Sequence, residues 1–371
     1  MKHIRTGILF FACLLSVFNA DGAPLEKRAR SLRSGVNISD WFIYEERAKQ
    51  LSTPEFKKQV EADARQIRAL GFDHVKICID PEMIGREARL LSQLRMAVQT
   101  LSNENLSVVL DLHPAMGADR YADRLMTNKT FRKKYEKFLE TIAQFLKTTD
   151  PEKTFLTVLN EPMTVNLLAW SDTQRQLVQF LRARLPQHTL IVTGAPGATA
   201  QSLIDMPPLP DPNLIYSFHF YEPGVFTHQG AKWGASYNQY LSGVPFPFDQ
   251  AAYVKTLVQI PSHDVPAQSQ FRSLYENQVW NTERLEGVIQ TVGAWAKKNQ
   301  AVVVCGEFGV TKTGPSKADR YKWIRETRTA LERHGIGWTF WSYRGAFGII
   351  NQKGALESPD EEAQMALGTK K

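Results

Sequence analysis

Glu161 and Glu307 stand where acidic residues are seldom found: each directly follows an apolar, β-prone run, in LTVLNEPM and VVVCGEFG. An isolated buried charge is costly, so a carboxylate at the end of a buried strand must be paired or face a cleft. Two carboxyls facing one gap can divide the work, one giving a proton while the other stays ionised as base or nucleophile. Asn37 and Asp40, Lys76 and Asp80, Asp111 and His113, Asn160, His219 and Tyr221, and Trp341 occupy similar strand-end positions. That set is too polar for a core layer, so several members must line a site. Singly, each has a plainer reading. A strand-end glutamate can be an ion-pair partner, Asp111 a buried partner of its neighbours, and His228 and Trp233 in FTHQGAKW the closure of a loop.

The elements that must position these residues are legible as eight short runs: GVNIS from Gly35, DHVKICI from Asp73, SVVLDL from Ser107, TFLTVLN from Thr154, TLIVTG from Thr189, NLIYSFH from Asn213, AVVVCGEF from Ala301 and IGWTFWS from Ile336. Most are continuously apolar, as expected for parallel strands covered on both faces. Amphipathic stretches separate them. Phe56, Val60, Ile67 and Leu70 follow helical spacing and stop at Gly71. Phe131, Tyr135, Phe138, Leu139, Ile142, Phe145 and Leu146 form a second stripe. Leu285, Val288, Ile289, Val292 and Trp295 form a third, with Thr282 as candidate cap. Eight strand–helix units in one span predict a (β/α)8 TIM barrel, with catalytic groups at the C-terminal ends of the strands. An open doubly wound sheet is the alternative, but no glycine-rich phosphate loop follows the first strand. The aromatic-rich stretch Phe220 to Val279 reads as a long loop, and the polar tail as frayed.

Composition narrows the functional classes. The chain has 371 residues and is 43% hydrophobic, enough for one large core and too apolar for disorder. Lys2, His3 and Arg5, the apolar run Gly7 to Phe18 and small residues near Ala20 to Ala23 read as a cleaved secretory signal. The expected organisation is therefore a signal peptide over 1–23, a single catalytic barrel over 24–352 and a polar tail over 353–371. A secreted or periplasmic protein with no membrane span in its mature part follows. An uncleaved N-terminal anchor is the alternative reading. The net charge of +7 has no basic block in the body of the chain, which argues against a nucleic-acid partner. Cys78 and Cys305 lie inside strand-like runs and read as core thiols.

Together these motifs resemble glycoside hydrolase family 5, over roughly Gly35 to Ile350. Asn160-Glu161-Pro162 is similar to the family's Asn-Glu-Pro on strand four, and Gly306-Glu307-Phe308-Gly309 to its strand-seven motif. His113 resembles the strand-three histidine, His219-Phe220-Tyr221 the His-x-Tyr of strand six, Trp341 the strand-eight tryptophan, and Gly35-Val36-Asn37 the strand-one opening. The resemblance implies a retaining hydrolase with Glu161 as acid/base and Glu307 as nucleophile. It implies Asn160 on the sugar 2-hydroxyl, His113 and His219 near the cleaved bond, and Trp341 as a stacking floor. Trp233 and Asn37 join them as candidate substrate-binding or supporting residues. Where the family has an arginine beside the nucleophile this chain has Lys76, which keeps the charge and loses the planar fork. With Tyr221, Lys76 is expected to hold Glu307 ionised.

The substrate implied is a polysaccharide or oligosaccharide, foremost a β-1,4-glucan cut internally. β-Mannan, xyloglucan and β-1,3/1,6-glucan are the alternatives within the family. No metal or organic cofactor is implied: the histidines are too sparse for a metal-dependent hydrolase, which would also leave the paired glutamates unexplained. A non-catalytic carbohydrate-binding barrel is the rival from another class.

Overall fold

The computed structural model describes residues 24–43, 52–115, 120–353 and 356–369. The predicted signal, 1–23, lies outside the described residues. Among them, the barrel strands are β1 (Ser34–Phe42), β2 (His74–Ile79), β3 (Ser107–Leu112), β4 (Thr154–Thr157), β5 (Leu190–Thr193), β6 (Leu214–Phe220), β7 (Val302–Phe308) and β8 (Gly337–Phe340). Each starts within about a residue of the expected position. All pair in parallel in sequence order, and β1 closes on β8 through Ser34 opposite Trp338 and Gly35 opposite Thr339. The molecule is a TIM barrel.

The principal helices outside the strands are α1 (Thr53–Ala69), α2 (Ala88–Asn103), α3 (Lys129–Leu146), α4 (Leu167–Arg182), α5 (Ala200–Ile204), α6 (Thr282–Asn299), α7 (Lys317–Arg333) and α8 (Glu361–Ala366). α1 forms because Ser52 and Glu55 make a reciprocal capping box and Pro54 sits in its first turn. It ends before Gly71, whose φ of +90° favours glycine. Every residue of the predicted α3 stripe is buried. The cap of α6 is Asn281, which accepts from the Arg284 amide, and Thr282 is the first helical residue. Both residue types cap well, so composition did not separate them.

The barrel interior has two layers. At the bottom, Val109, Phe155, Ile191, Ile215 and Val304 pack against Leu32, with Leu25 and Ala29 of the short helix Pro24–Ala29 on the same cluster. Above this plug the lining turns polar: His74, Lys76, Asp111, Thr157, Asn160, Thr193, Ser217, His219 and Thr339 surround a cavity of about 10 Å³, room for a single water. The apolar plug closes one end, so the polar layer opens only toward the C-terminal ends of the strands.

Two expectations are corrected. The stretch Phe220 to Val279 is not a plain loop. It holds helical turns at Gly224–Thr227, Gln250–Leu257 and Val265–Phe271, built round a small aromatic core. There Tyr253 and Phe271 stack at 5.5 Å, Phe248 meets Tyr275 edge-on at 5.0 Å, and Tyr253, Phe271 and Tyr275 are buried. Of these aromatics only Phe271 and Tyr275 share helical spacing; Tyr253 and Phe248 pack on them from other segments, so no continuous helical period announces the core.

Nor is the tail frayed as far as Thr369. Strands β9 (Ile350–Lys353) and β10 (Leu356–Pro359) form an antiparallel pair, and α8 buries Ala363 and Ala366. Asp360 caps α8 through the Ala363 amide and pairs with the buried Arg320 of α7 at 3.3 Å. The charges of the tail mark one face of a helix too short to show a period. Removing one partner of a buried pair strands the other. Asp360→Ala is therefore expected to destabilise the fold by about 3 kcal/mol, measured as a lowered midpoint in urea unfolding.

Candidate active site

The polar layer is aimed by local backbone features. Lys76 lies in β2, Asp111 in β3, and His113 just past β3, where its amide bonds to the Ile79 carbonyl at 2.7 Å. Asn160 and Glu161 follow β4, with the Asn160 amide on the Leu112 carbonyl at 2.9 Å. In the β6–β7 pair, Phe218 faces Cys305 but His219 faces Glu307, so Gly306 is an extra residue on β7. Such a bulge re-aims the following side chain. A Cβ at Gly306 would lie 2.4 Å from Ser217 Oγ, so only glycine fits there. Asn37, fully buried, donates to the Gly306 and Phe340 carbonyls, each at 3.2 Å, and thereby braces the bulge against β8.

Lys76 is the hub. Its Nζ lies 2.9 Å from Glu307 Oε1, 3.0 Å from Asn160 Oδ1 and 3.3 Å from Asp111 Oδ2. Burial acts to lower its pKa, but the Asp111 and Glu307 carboxylates outweigh burial and hold it above the ordinary lysine range. The second oxygen of Glu307 accepts from the Tyr221 hydroxyl at 2.9 Å. Burial, with Glu307 beside it, pushes that phenol well up, so Tyr221 stays a donor. His219 Nδ1 lies 2.6 Å from Glu161 Oε1 and 3.6 Å from Glu307 Oε2, between the two carboxylates. Glu161, Glu307 and His219 present ligand-type atoms all within 4.8 Å of one another.

The two glutamates differ in environment. Glu307 is buried, whereas the Glu161 side chain is 37% exposed and faces the opening. Burial raises the Glu161 pKa, but the His219 hydrogen bond and the charges of His113 and Lys76 bring it below the usual carboxylate range. Asp111 is likewise lowered: burial raises it, and Lys76 and His113 overcome that. Its ionised form thus favours the fold above about pH 4, and that contribution is lost as pH falls through the depressed folded value.

On the other wall, the His113 ring stacks on Trp341 at 5.8 Å and 19°. Trp233 is 38% exposed and reaches the site through Phe347, whose ring also lies 6.0 Å from Tyr221. His228 packs edge-on to Tyr221 at 5.0 Å, and burial pushes its pKa down to about 4, so it is neutral near pH 7.

The structure thus brings together Lys76, His113, Asn160, Glu161, His219, Tyr221, Glu307 and Trp341. It places Asn37 beneath them as a strut and Trp233 at the rim. Phe347 was not anticipated, because nothing in RGAFGII distinguishes it from core. Glu161, His219 and Glu307 could in principle ligate a metal, as could Cys78, Asp111 and His113. Lys76 already supplies a cation to Glu307 and Asp111, so a dication would have to share those carboxylates with an ammonium.

A family profile described as cellulase (glycosyl hydrolase family 5) matches residues 40–346. Endoglucanase C of Acetivibrio thermocellus is 25% identical over 334 residues, which cover 87% of this chain and 94% of that protein. Endoglucanase 3 of Fibrobacter succinogenes is 25% identical over 380 residues, covering 94% of this chain. The chain spans 54% of that relative's length. Among solved structures, endoglucanase Cel5A from Thermotoga maritima superposes with a TM-score of 0.73 at 20% identity, over 93% of this chain and 99% of that one.

Because two carboxylates share the Lys76 ammonium, its removal leaves both without their buried cation. Lys76→Met is expected to cost about 3–5 kcal/mol, read as the difference in unfolding free energy by urea titration at pH 7.

Proposed function

The chain belongs to glycosyl hydrolase family 5, a family of retaining glycosidases, and on that premise we propose that it is an endo-β-1,4-glucanase with Glu307 as nucleophile and Glu161 as acid/base. The observation that carries the assignment is the carboxylate spacing: oxygens of Glu161 and Glu307 lie within 4.8 Å. Retaining hydrolysis uses carboxyls about 5–5.5 Å apart, whereas inversion needs about 6.5–9.5 Å to admit a water. A gap this short favours direct attack on the anomeric carbon.

In the proposed cycle, Glu307 attacks while hydrogen-bonded at both oxygens, by Lys76 and by Tyr221. Glu161 protonates the departing oxygen. A sugar seated against Trp341 excludes water from the exposed side of Glu161, which favours its protonated form. Once the glycosyl bond forms, the Glu307 charge is consumed and Lys76 faces one carboxylate fewer. The excess positive charge then favours ionised Glu161, which takes the proton of the incoming water. Asn160, held by Lys76 through its Oδ1, keeps its amide N–H groups for the sugar 2-hydroxyl.

The names of the relatives, endoglucanase C and endoglucanase 3, support a glucan cut internally, and a structural neighbour described as an endo-β-1,4-glucanase supports the β-1,4 linkage. Mannan is the second reading, because Cel5A of Thermotoga maritima is described in complex with both cellobiose and mannotriose. We further propose that the chain is exported and processed near Ala23, on the sequence of its first 23 residues.

Three measurements test this. Wild type should release the β-anomer first from a soluble β-1,4-glucan, followed by NMR, and an initial α-anomer would sink the nucleophile assignment. Glu307→Gln should lose about 10⁴-fold in kcat on every substrate. Glu161→Ala should lose about 10³-fold on glucan yet cleave a dinitrophenyl cellobioside at near wild-type glycosylation rate, since that leaving group needs no acid. For export, mass spectrometry of the protein recovered outside the cytoplasm should give a mature N-terminus near residue 24.

A further inference from the structure

We propose that Asp111 is a positioning residue of this site, setting the Lys76 ammonium between the nucleophile and Asn160 and holding the His113 ring on Trp341. The inference rests on the glycosidase reading above.

The argument starts from donor geometry. A lysine ammonium has three N–H donors on a flexible stem, and unlike a guanidinium it brings no rigid fork to a carboxylate. Its direction must be imposed by acceptors. Three acceptors surround Lys76 Nζ, namely Glu307 Oε1 at 2.9 Å, Asn160 Oδ1 at 3.0 Å and Asp111 Oδ2 at 3.3 Å. Hydrogens go to Glu307 and Asn160, and Asp111 holds the ammonium as an ion-pair partner. Asp111, on β3, supplies the second carboxylate that attracts the ammonium and so fixes where it sits. The same Oδ2 lies 3.2 Å from His113 Nδ1, so one oxygen fixes both the ammonium and the ring that stacks on Trp341.

The second argument is that this carboxylate is a poor choice for stability alone. Asp111 is fully buried, and its Oδ1 has no hydrogen-bond partner in the protein. A half-satisfied buried charge is weak evidence for stability, and a neutral side chain of the same shape often serves a core better. What the charge gains is a divided Lys76: the ammonium neutralises two carboxylates, and Glu307 receives part of it. The titratable groups packed round the cluster are Asp40 of β1, Lys76 and Cys78 of β2, His113, Tyr135 of α3, Glu161, His219 and Tyr221, and Cys305 and Glu307 of β7.

Asp111→Asn tests this in the full chain. The amide can keep an oxygen at the Oδ2 place and put its NH2 at the unpartnered Oδ1 place, so His113 keeps its acceptor while the charge that holds the ammonium goes. With Lys76 then neutralising Glu307 alone, the acid limb of kcat/KM is expected to move about one pH unit lower. The kcat should fall about tenfold or more through weaker nucleophilicity, with KM within about threefold. A wild-type pH profile with kcat within twofold overturns the proposal, as does a kcat loss that matches the loss of folded protein by circular dichroism. A second measurement needs neither the variant nor a substrate. In wild type labelled with ¹⁵N-histidine, neutral His113 should carry its proton on Nδ1, donating to Asp111. An Nε2–H tautomer overturns the proposal. If wild type cleaves no β-glycan, the glycosidase reading fails while the tautomer result still stands for or against Asp111.

Discussion

The site is organised round one buried ammonium. Lys76 donates to Glu307 at 2.9 Å and to Asn160 at 3.0 Å, and pairs with Asp111 at 3.3 Å. Charge at this depth is tolerable only as a set, because each member alone would carry an uncompensated desolvation penalty. The set explains why the nucleophile proposed for the reaction is buried while its partner Glu161 is open to solvent. Glu307 has its cation built in, and Glu161 has a histidine contact and water.

The barrel makes the arrangement possible by dividing its interior. Leu32 and the inward side chains of β3 to β7 form an apolar plug that excludes water from below. With one end sealed, the polar layer above can face only the mouth, where the strand ends converge. The Gly306 bulge then turns Glu307 toward Lys76, and Asn37 pins that bulge to β8. Function and fold meet here: a backbone position with no room for a Cβ directly precedes the proposed nucleophile.

Much of this was legible beforehand, for identifiable reasons. Parallel strands buried on both faces leave continuous apolar runs, so the starts of all eight barrel strands could be read within about a residue. Polar residues within or just after such runs stand out, which marks Glu161, Glu307, Lys76, His113 and His219. The insertion after β6 and the tail after Lys353 were misread because their burial is made across segments: Tyr253 against Phe271, Asp360 against Arg320. Neither contact leaves a periodic trace in the chain.

The sequence by itself determined the order of elements and the residue types at each strand end, because burial and period act locally along the chain. Only the tertiary structure decided which of those residues share a charge. That Asp111 and Glu307, almost two hundred positions apart, both sit on Lys76 follows from barrel closure, strand register and one bulge. Those features bring the groups to about 3 Å of the Lys76 ammonium, and at that range a lysine within β2 becomes the hub of a site.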